Sequence, residues 1–204
     1  MAASSNFPMS ILRRRKVFGA CILTAATVFV FSHPAPAKEK RTMIQFNGTT
    51  YEHRWSKAGQ NEFTPAGQED LSKWTEMVTI LDYDRVNNGE DLAGVANQVY
   101  ANYQNAGKII KVNSKPRTET APAEHFIAAA LGDPNYLELV FARLFIHDGK
   151  GAAVVVSHRI YGAKVGPAAG EWLEKNGASV EKALMEWKGL PTLAALRALP
   201  QSAN

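Results

Sequence analysis

An α+β sandwich built on a largely antiparallel sheet is the architecture this sequence predicts, and three observations predict it. The stretch Tyr136–Tyr161, YLELVFARLFIHDGKGAAVVVSHRIY, holds two long runs of Leu, Val, Ile and Phe around a Gly-containing turn, the pattern of a β-hairpin. A second hairpin is marked by Asn47-Gly48, the dipeptide that best tolerates positive φ in a two-residue turn. Helical periodicity is confined to residues 88–107 and to the chain past Gly162. Strands joined by hairpins, with helices segregated between and after them, indicate an α+β sandwich.

The elements follow in order. Residues 1–37 read as a cleavable export signal. Arg13, Arg14, Arg15 and Lys16 form a basic cluster, Val17–Phe31 is an apolar run too short for a comfortable membrane span, and Ala35-Pro36-Ala37 is a cleavage site. A Sec-type route is expected over a twin-arginine one, for which Arg14-Arg15 is a loose match, and over a lipid anchor at Cys21. The remainder, residues 38–204, reads as a single domain. Within it Thr42–Phe46 and Thr49–Ser56 are the first hairpin, Gly59–Asp70 is polar and irregular, and Trp74–Tyr83 is a strand. Asn88 can cap a helix whose face carries Leu92, Val95, Ala96, Val99, Tyr100 and Tyr103, and Gly107 can end it. Lys108–Val112 is a strand, Asn113–Pro122 a connection, and Glu124–Leu131 a strand despite its helix-favouring alanines. Past the long hairpin, Ala168–Lys175 is a helix stopped at Asn176-Gly177. Ser179 caps a second helix carrying Val180, Ala183, Leu184 and Trp187, and Thr192–Leu199 adds a final helical turn.

Charge excludes some functions. The chain has 23 Lys+Arg and 19 Asp+Glu. Four of the basic residues and none of the acidic ones precede position 38, so the chain beyond the signal is balanced. The basicity is a targeting device, and nucleic-acid binding, which wants a clustered basic patch, is not expected. No membrane association is expected after cleavage. The one cysteine leaves with the signal, so no disulfide supports the domain.

The long hairpin identifies the candidate site. With Asp148–Gly151 as a four-residue loop, Arg143 would pair with Val156. One face would hold Leu137, Leu139, Phe141, Arg143, Phe145 and His147 with Ala152, Val154, Val156, His158 and Ile160. The other would hold Glu138, Val140, Ala142, Leu144 and Ile146 with Ala153, Val155, Ser157, Arg159 and Tyr161. Arg143 and His158 thus fall as diagonal neighbours amid apolar side chains. A buried guanidinium needs a partner: a carboxylate or carbonyls that fix the fold, or the anionic group of a ligand. The structural role is the more expected.

Other chemistry finds little support. His53, His125, His147 and His158 offer no helical pair and no neighbouring cysteine, so no metal site is expected. A calcium loop begun at Asp84 would place Val86 and Val95 at ligand positions. Nucleophile-elbow, dinucleotide and phosphate-loop motifs do not occur, and Ser157 and His158 point to opposite faces. No cofactor and no catalytic residue are expected.

The segments HRWSKAGQNEFTP, PAEHFIAAALG, SHRIYG and EWLEKNGASVEKALMEW resemble those of small exported bacterial α+β proteins without an assigned function. The order of elements is similar to the PsbP/Mog1-like α/β/α sandwich, an antiparallel sheet with helices on both sides. That resemblance implies a binding or assembly module and carries over no site residues. The expectation is a non-catalytic periplasmic or secreted protein that binds a protein partner or its own copy. The alternatives are a binder of a small anionic or amphipathic ligand through Arg143 and His158, and a hydrolase whose His and Glu residues only the fold assembles.

Overall fold

A computed structural model describes residues 42–202, so the expected signal and the chain up to Arg41 lie outside the described residues. The fold is mixed α+β, with one eight-stranded antiparallel sheet and three helices among those residues. The strands are β1 (Met43–Phe46), β2 (Thr49–Lys57), β3 (Gln60–Pro65), β4 (Glu76–Tyr83), β5 (Gly107–Lys115), β6 (Glu124–Gly132), β7 (Tyr136–His147) and β8 (Lys150–Tyr161). The helices are α1 (Gly89–Ala106), α2 (Val165–Glu186) and α3 (Leu193–Arg197). In space the strands run β1-β2-β3-β4-β8-β7-β6-β5, which puts the long hairpin inside the sheet and leaves β1 and β5 as edges.

Each face of the sheet has its own core. Phe63, Val78, Ile80, Phe126, Leu139, Phe141, Val154 and Val156 pack with Ala169, Val180 and Leu184 of α2 and Leu193 and Leu196 of α3. On the other face Ile127, Ala142, Leu144 and Ala153 pack with Leu92, Ala96 and Val99 of α1. These sets follow the alternation expected of β7 and β8, because side chains on successive strand residues point to opposite faces. The two-sided apolar hairpin is explained: it is covered by helix on both sides.

The hairpin turn corrects the expected register. Asp148 (φ 49°) and Gly149 (φ 73°) form a two-residue turn, so His147 pairs with Lys150 and Arg143 with Val154. Two consecutive positive φ values make the primed turn whose twist matches the strands. The correction is two residues, which preserves every face but moves the partners. His158 lies opposite Leu139, four residues along β8 from the partner of Arg143, about 13 Å away at the strand rise.

Three other elements differ from expectation. Gln60–Pro65 is a strand, entered through Ala58 (φ 50°) and Gly59, because β2 and β4 pair on either side of it. β5 runs on to Lys115. α2 continues through Asn176-Gly177, where the Asn176 amide donates to the Trp172 carbonyl within the helix, and Ser179 donates to the Asn176 carbonyl rather than capping a new start. A Gly inside a helix costs about 1 kcal/mol, less than the packing of Val180 and Leu184 against the sheet returns. The other helix signals match: the Asn88 side chain accepts from the Glu90 and Asp91 amides, and Thr192 accepts from Ala195. At the α1–β5 junction, a Cβ on Gly107 would overlap the Ala130 carbonyl, so only glycine lets the helix end turn so closely into the sheet.

Candidate functional site

The two residues singled out on the hairpin are not brought together, but both dock α2. Arg143 is buried beneath the end of that helix. Its Nε donates to Glu124 Oε2 at 2.8 Å, and one terminal nitrogen donates to the Leu184 and Trp187 carbonyls at 3.0 Å each. The other terminal nitrogen lies 2.7 Å from the same Glu124 oxygen, and the guanidinium carbon sits 4.2 Å above the Phe145 ring. A helix leaves its last carbonyls without intrahelical partners and its C-terminal dipole favours a cation. The last turn of α2 has no basic residue, so the sheet supplies one.

His158 does the same nearer the start of α2. Its Nδ1 is 2.5 Å from Glu76 Oε1, on the residue directly opposite in β4, and its ring stacks on Trp172 at 4.3 Å and 13°. Arg159, on the other face, bonds Glu138 at 2.8 Å and lies between the Trp74 and Tyr136 rings.

A serine–histidine contact that the sequence does not reveal occurs in β2. His53 Nε2 is 2.7 Å from Ser56 Oγ, which is 2.7 Å from Asn61 Oδ1. The Asn61 amide donates to the Gly59 and Ile80 carbonyls, which fixes its oxygen toward Ser56. Ser56 must therefore donate to Asn61 and accept from His53. That polarity is the reverse of an activated nucleophile, and Ser56 is fully buried. Burial first, then the charge of Arg54, pushes the His53 pKa down against the opposing backbone bond at Trp55.

The accessible features cluster at the β5 edge. Among the described residues β5 hydrogen-bonds to β6 alone, and every one of its residues except the half-buried Ile109 is exposed. Ile110 is 40% and Val112 56% exposed, and Ile110 is the extra residue of a bulge, since Ile109 pairs with Ala129 and Lys111 with Ala128. The opposite edge, β1, has four residues, and two of them, Ile44 and Phe46, are in the core. Three lysines, Lys108, Lys111 and Lys115, lie along the β5 edge, and the last two are paired with Glu181 and Glu124. Glu181 of α2 braces it, accepting from Lys111 Nζ at 2.6 Å and from the Asn113 amide at 3.1 Å. Burial alone would raise the Glu181 pKa, but these two donors hold it below the usual carboxylate range.

Beside this edge a cleft lies between α1 and the β5–β6 pair. The wedge so formed is a cavity of about 400 Å³, lined by Ala96, Asn97 and Tyr100 of α1 and by strand residues that include Val112, Ser114, His125 and Ile127. Ser114 pairs with His125 and Val112 with Ile127 across β5 and β6. The buried His125 Nε2 has no hydrogen-bond partner among the described residues, and burial pushes the imidazole pKa down. Sequence pattern places His125 on the α1 side of β6, two residues from Ile127. It does not show that Nε2 is sealed there without a partner. Among the described residues no cluster of His, Cys, Asp and Glu could hold a metal ion, and no helix is long and apolar enough to cross a membrane.

Comparison with protein-family models and with curated proteins found no match. Among solved structures, human STARD10 matches with a TM-score of 0.28 and 9% identity, over 67% of this chain and 74% of that one. A likeness at that level says nothing about what this chain does.

Proposed function

We propose that this protein is a non-catalytic binding module that engages a protein partner by accepting an extended segment along β5. The observation that carries this is the β5 edge itself: nine residues, exposed Ile110 and Val112, and, among the described residues, one strand neighbour and no helix laid over its outer side. Strand addition draws its affinity from the unpaired backbone groups of such an edge, and its selectivity from side chains on alternate residues. Lys111 and Lys115 are already paired with Glu181 and Glu124, so the charge preference of the edge rests on Lys108 at its start. A segment with an acidic residue opposite Lys108 is the favoured occupant. The finer fold is read as the PsbP/Mog1-like α/β/α sandwich, because the antiparallel sheet has helix packed on both faces. With residues 1–37 as an export signal, the module acts in the periplasm or outside the cell.

The test is fluorescence anisotropy with two labelled peptides as long as β5, one alternating glutamate with valine and one alternating lysine with valine. The glutamate peptide should bind, weaken as salt is raised, and lose at least about tenfold affinity, 1.4 kcal/mol, with Ile110→Asp. If neither peptide binds, or Ile110→Asp has no effect, the edge is not a docking strand. Equal binding of both peptides would keep the edge and remove the preference for acid.

A further inference from the structure

The dipeptide Asn-Gly stands at Asn47-Gly48, Asn88-Gly89 and Asn176-Gly177, and the fold treats the three differently. An asparagine followed by glycine is open to an intramolecular reaction in which the glycine amide nitrogen attacks the side-chain Cγ. Ring closure needs a free side-chain amide, a free glycine N–H and room beside the glycine for the nitrogen to swing. Asn88 lacks that freedom: its Oδ1 accepts from the Glu90 and Asp91 amides at the start of α1, and its Nδ2 donates to Asp91. A Cβ on Gly89 would come within 3.2 Å of Pro122, so the space beside it is filled. Asn176 lies inside α2 with its Nδ2 donating to the Trp172 carbonyl, and helical hydrogen bonding occupies the Gly177 N–H. Asn47 differs on each count. It is exposed in the β1–β2 turn at φ 47°, and its side chain has no hydrogen bond among the described residues. Gly48, at φ 81°, has no atom within 4 Å of where a Cβ would stand. Phe46 and Thr49 pair across the turn, which leaves the Gly48 N–H outside the ladder. The similar turn at Asp148-Gly149 is tied down, because the Asp148 carboxylate accepts from the Leu193 amide at 2.9 Å.

We propose that Asn47 is a modification site, where the chain deamidates spontaneously through a succinimide and acquires an isoaspartyl link in the β1–β2 turn. The Gly48 nitrogen gives its proton to solvent base and bonds to Asn47 Cγ. The Cγ–Nδ2 bond breaks, and ammonia leaves with a proton taken from solvent. Water then opens the cyclic imide at one of its two carbonyls. Opening at the former backbone carbonyl gives isoaspartate, and opening at the former side-chain carbonyl gives aspartate; neither step needs an oxidant or a reductant. Both products add a negative charge, and isoaspartate also adds a methylene to the backbone of a two-residue turn. The longer turn no longer matches the strands at Phe46, which is buried and meets the Trp187 ring edge-on at 5.3 Å. β1 has four residues and, among the described residues, one strand neighbour, so little else holds it in register. The site is at the edge opposite β5 and does not depend on strand addition there.

The experiment holds the purified folded protein, and a second sample in guanidinium chloride, at mildly alkaline pH and follows both by protease digestion and mass spectrometry. In denaturant the three Asn-Gly sites should convert at comparable rates, since only the local sequence then matters. In the folded protein Asn47 should convert at least about tenfold faster than Asn88 or Asn176. Chromatography of the peptide that carries Asn47 should resolve both isoaspartyl and aspartyl products. Hydrogen exchange on the converted fraction should show the β1 amides exchanging faster, with those of β7 and β8 unchanged. The comparison uses the unmodified sequence, so no variant has to fold. The proposal is overturned if Asn47 keeps its amide in the folded protein while the denatured sample converts, or if Asn88 or Asn176 keeps pace with it. It is equally overturned if aspartate forms without isoaspartate, or if conversion leaves β1 exchange unchanged.

Discussion

Arg143→Met tests whether the sheet holds the end of α2. The methionine keeps much of the aliphatic volume and removes three kinds of contact. It takes the donor from the Leu184 and Trp187 carbonyls, the partner from Glu124, and the cation from the Phe145 face. Hydrogen bonds from a charged donor contribute about 1.5–3 kcal/mol each, and breaking a buried ion pair costs about 3–5 kcal/mol in total. Glu124 is 18% exposed and retains Lys115 at 3.2 Å, so its stranded charge is partly relieved. The expected loss is therefore about 3–4 kcal/mol, a large part of the stability of a single domain. Adding Glu124→Gln should recover only about 1 kcal/mol, because the two carbonyls stay without their donor. Urea unfolding followed by tryptophan fluorescence measures both values, with Trp172 and Trp187 reporting on α2. A loss under about 1 kcal/mol for Arg143→Met would refute the reasoning, since the guanidinium would then not be anchoring the helix.

Two further outcomes follow from the same structure. His53 and His125 are both held below the ordinary histidine pKa of about 6.5, so between that value and their folded values the unfolded chain binds more protons. Stability is therefore full above about pH 6.5 and falls as pH drops through the folded pKa values; urea midpoints at pH 7.5 and 5.5 should show this fall, smaller in His125→Leu. Gly107→Ala should destabilise by about 1–3 kcal/mol, because the new Cβ meets the Ala130 carbonyl, which is backbone and cannot swing aside; an unchanged melting temperature would contradict the tight α1–β5 junction.

Local signals carried most of the architecture. The alternation in Tyr136–Tyr161 set both faces of β7 and β8 correctly even though the turn was two residues shorter than expected, because parity survives an even shift. Asn88 and Thr192 capped their helices through side-chain bonds that depend only on neighbouring residues. Tertiary context decided the remainder. Gln60–Pro65 is strand because β2 and β4 flank it, and α2 passes through Asn176-Gly177 because its apolar face lies on the sheet. Arg143 and His158 stood out correctly as polar groups in an apolar face, and α2 supplies the carbonyls and the indole that meet them. His125 and the β5 edge were not legible as sites. Their character comes from how α1 lies against β5 and β6 and from which strand ends the sheet, and neither is a local property of the sequence.

Amide hydrogen exchange along β5 tests the binding role most directly. In the protein alone, the amides of residues 108–115 that point away from β6 should exchange rapidly, while those of β7 and β8 stay protected. Adding the glutamate–valine peptide should slow alternate amides of β5 and leave the opposite edge at β1 unchanged. Protection that appears at β1 or on the helices, with β5 exchanging as before, would contradict strand addition at this edge.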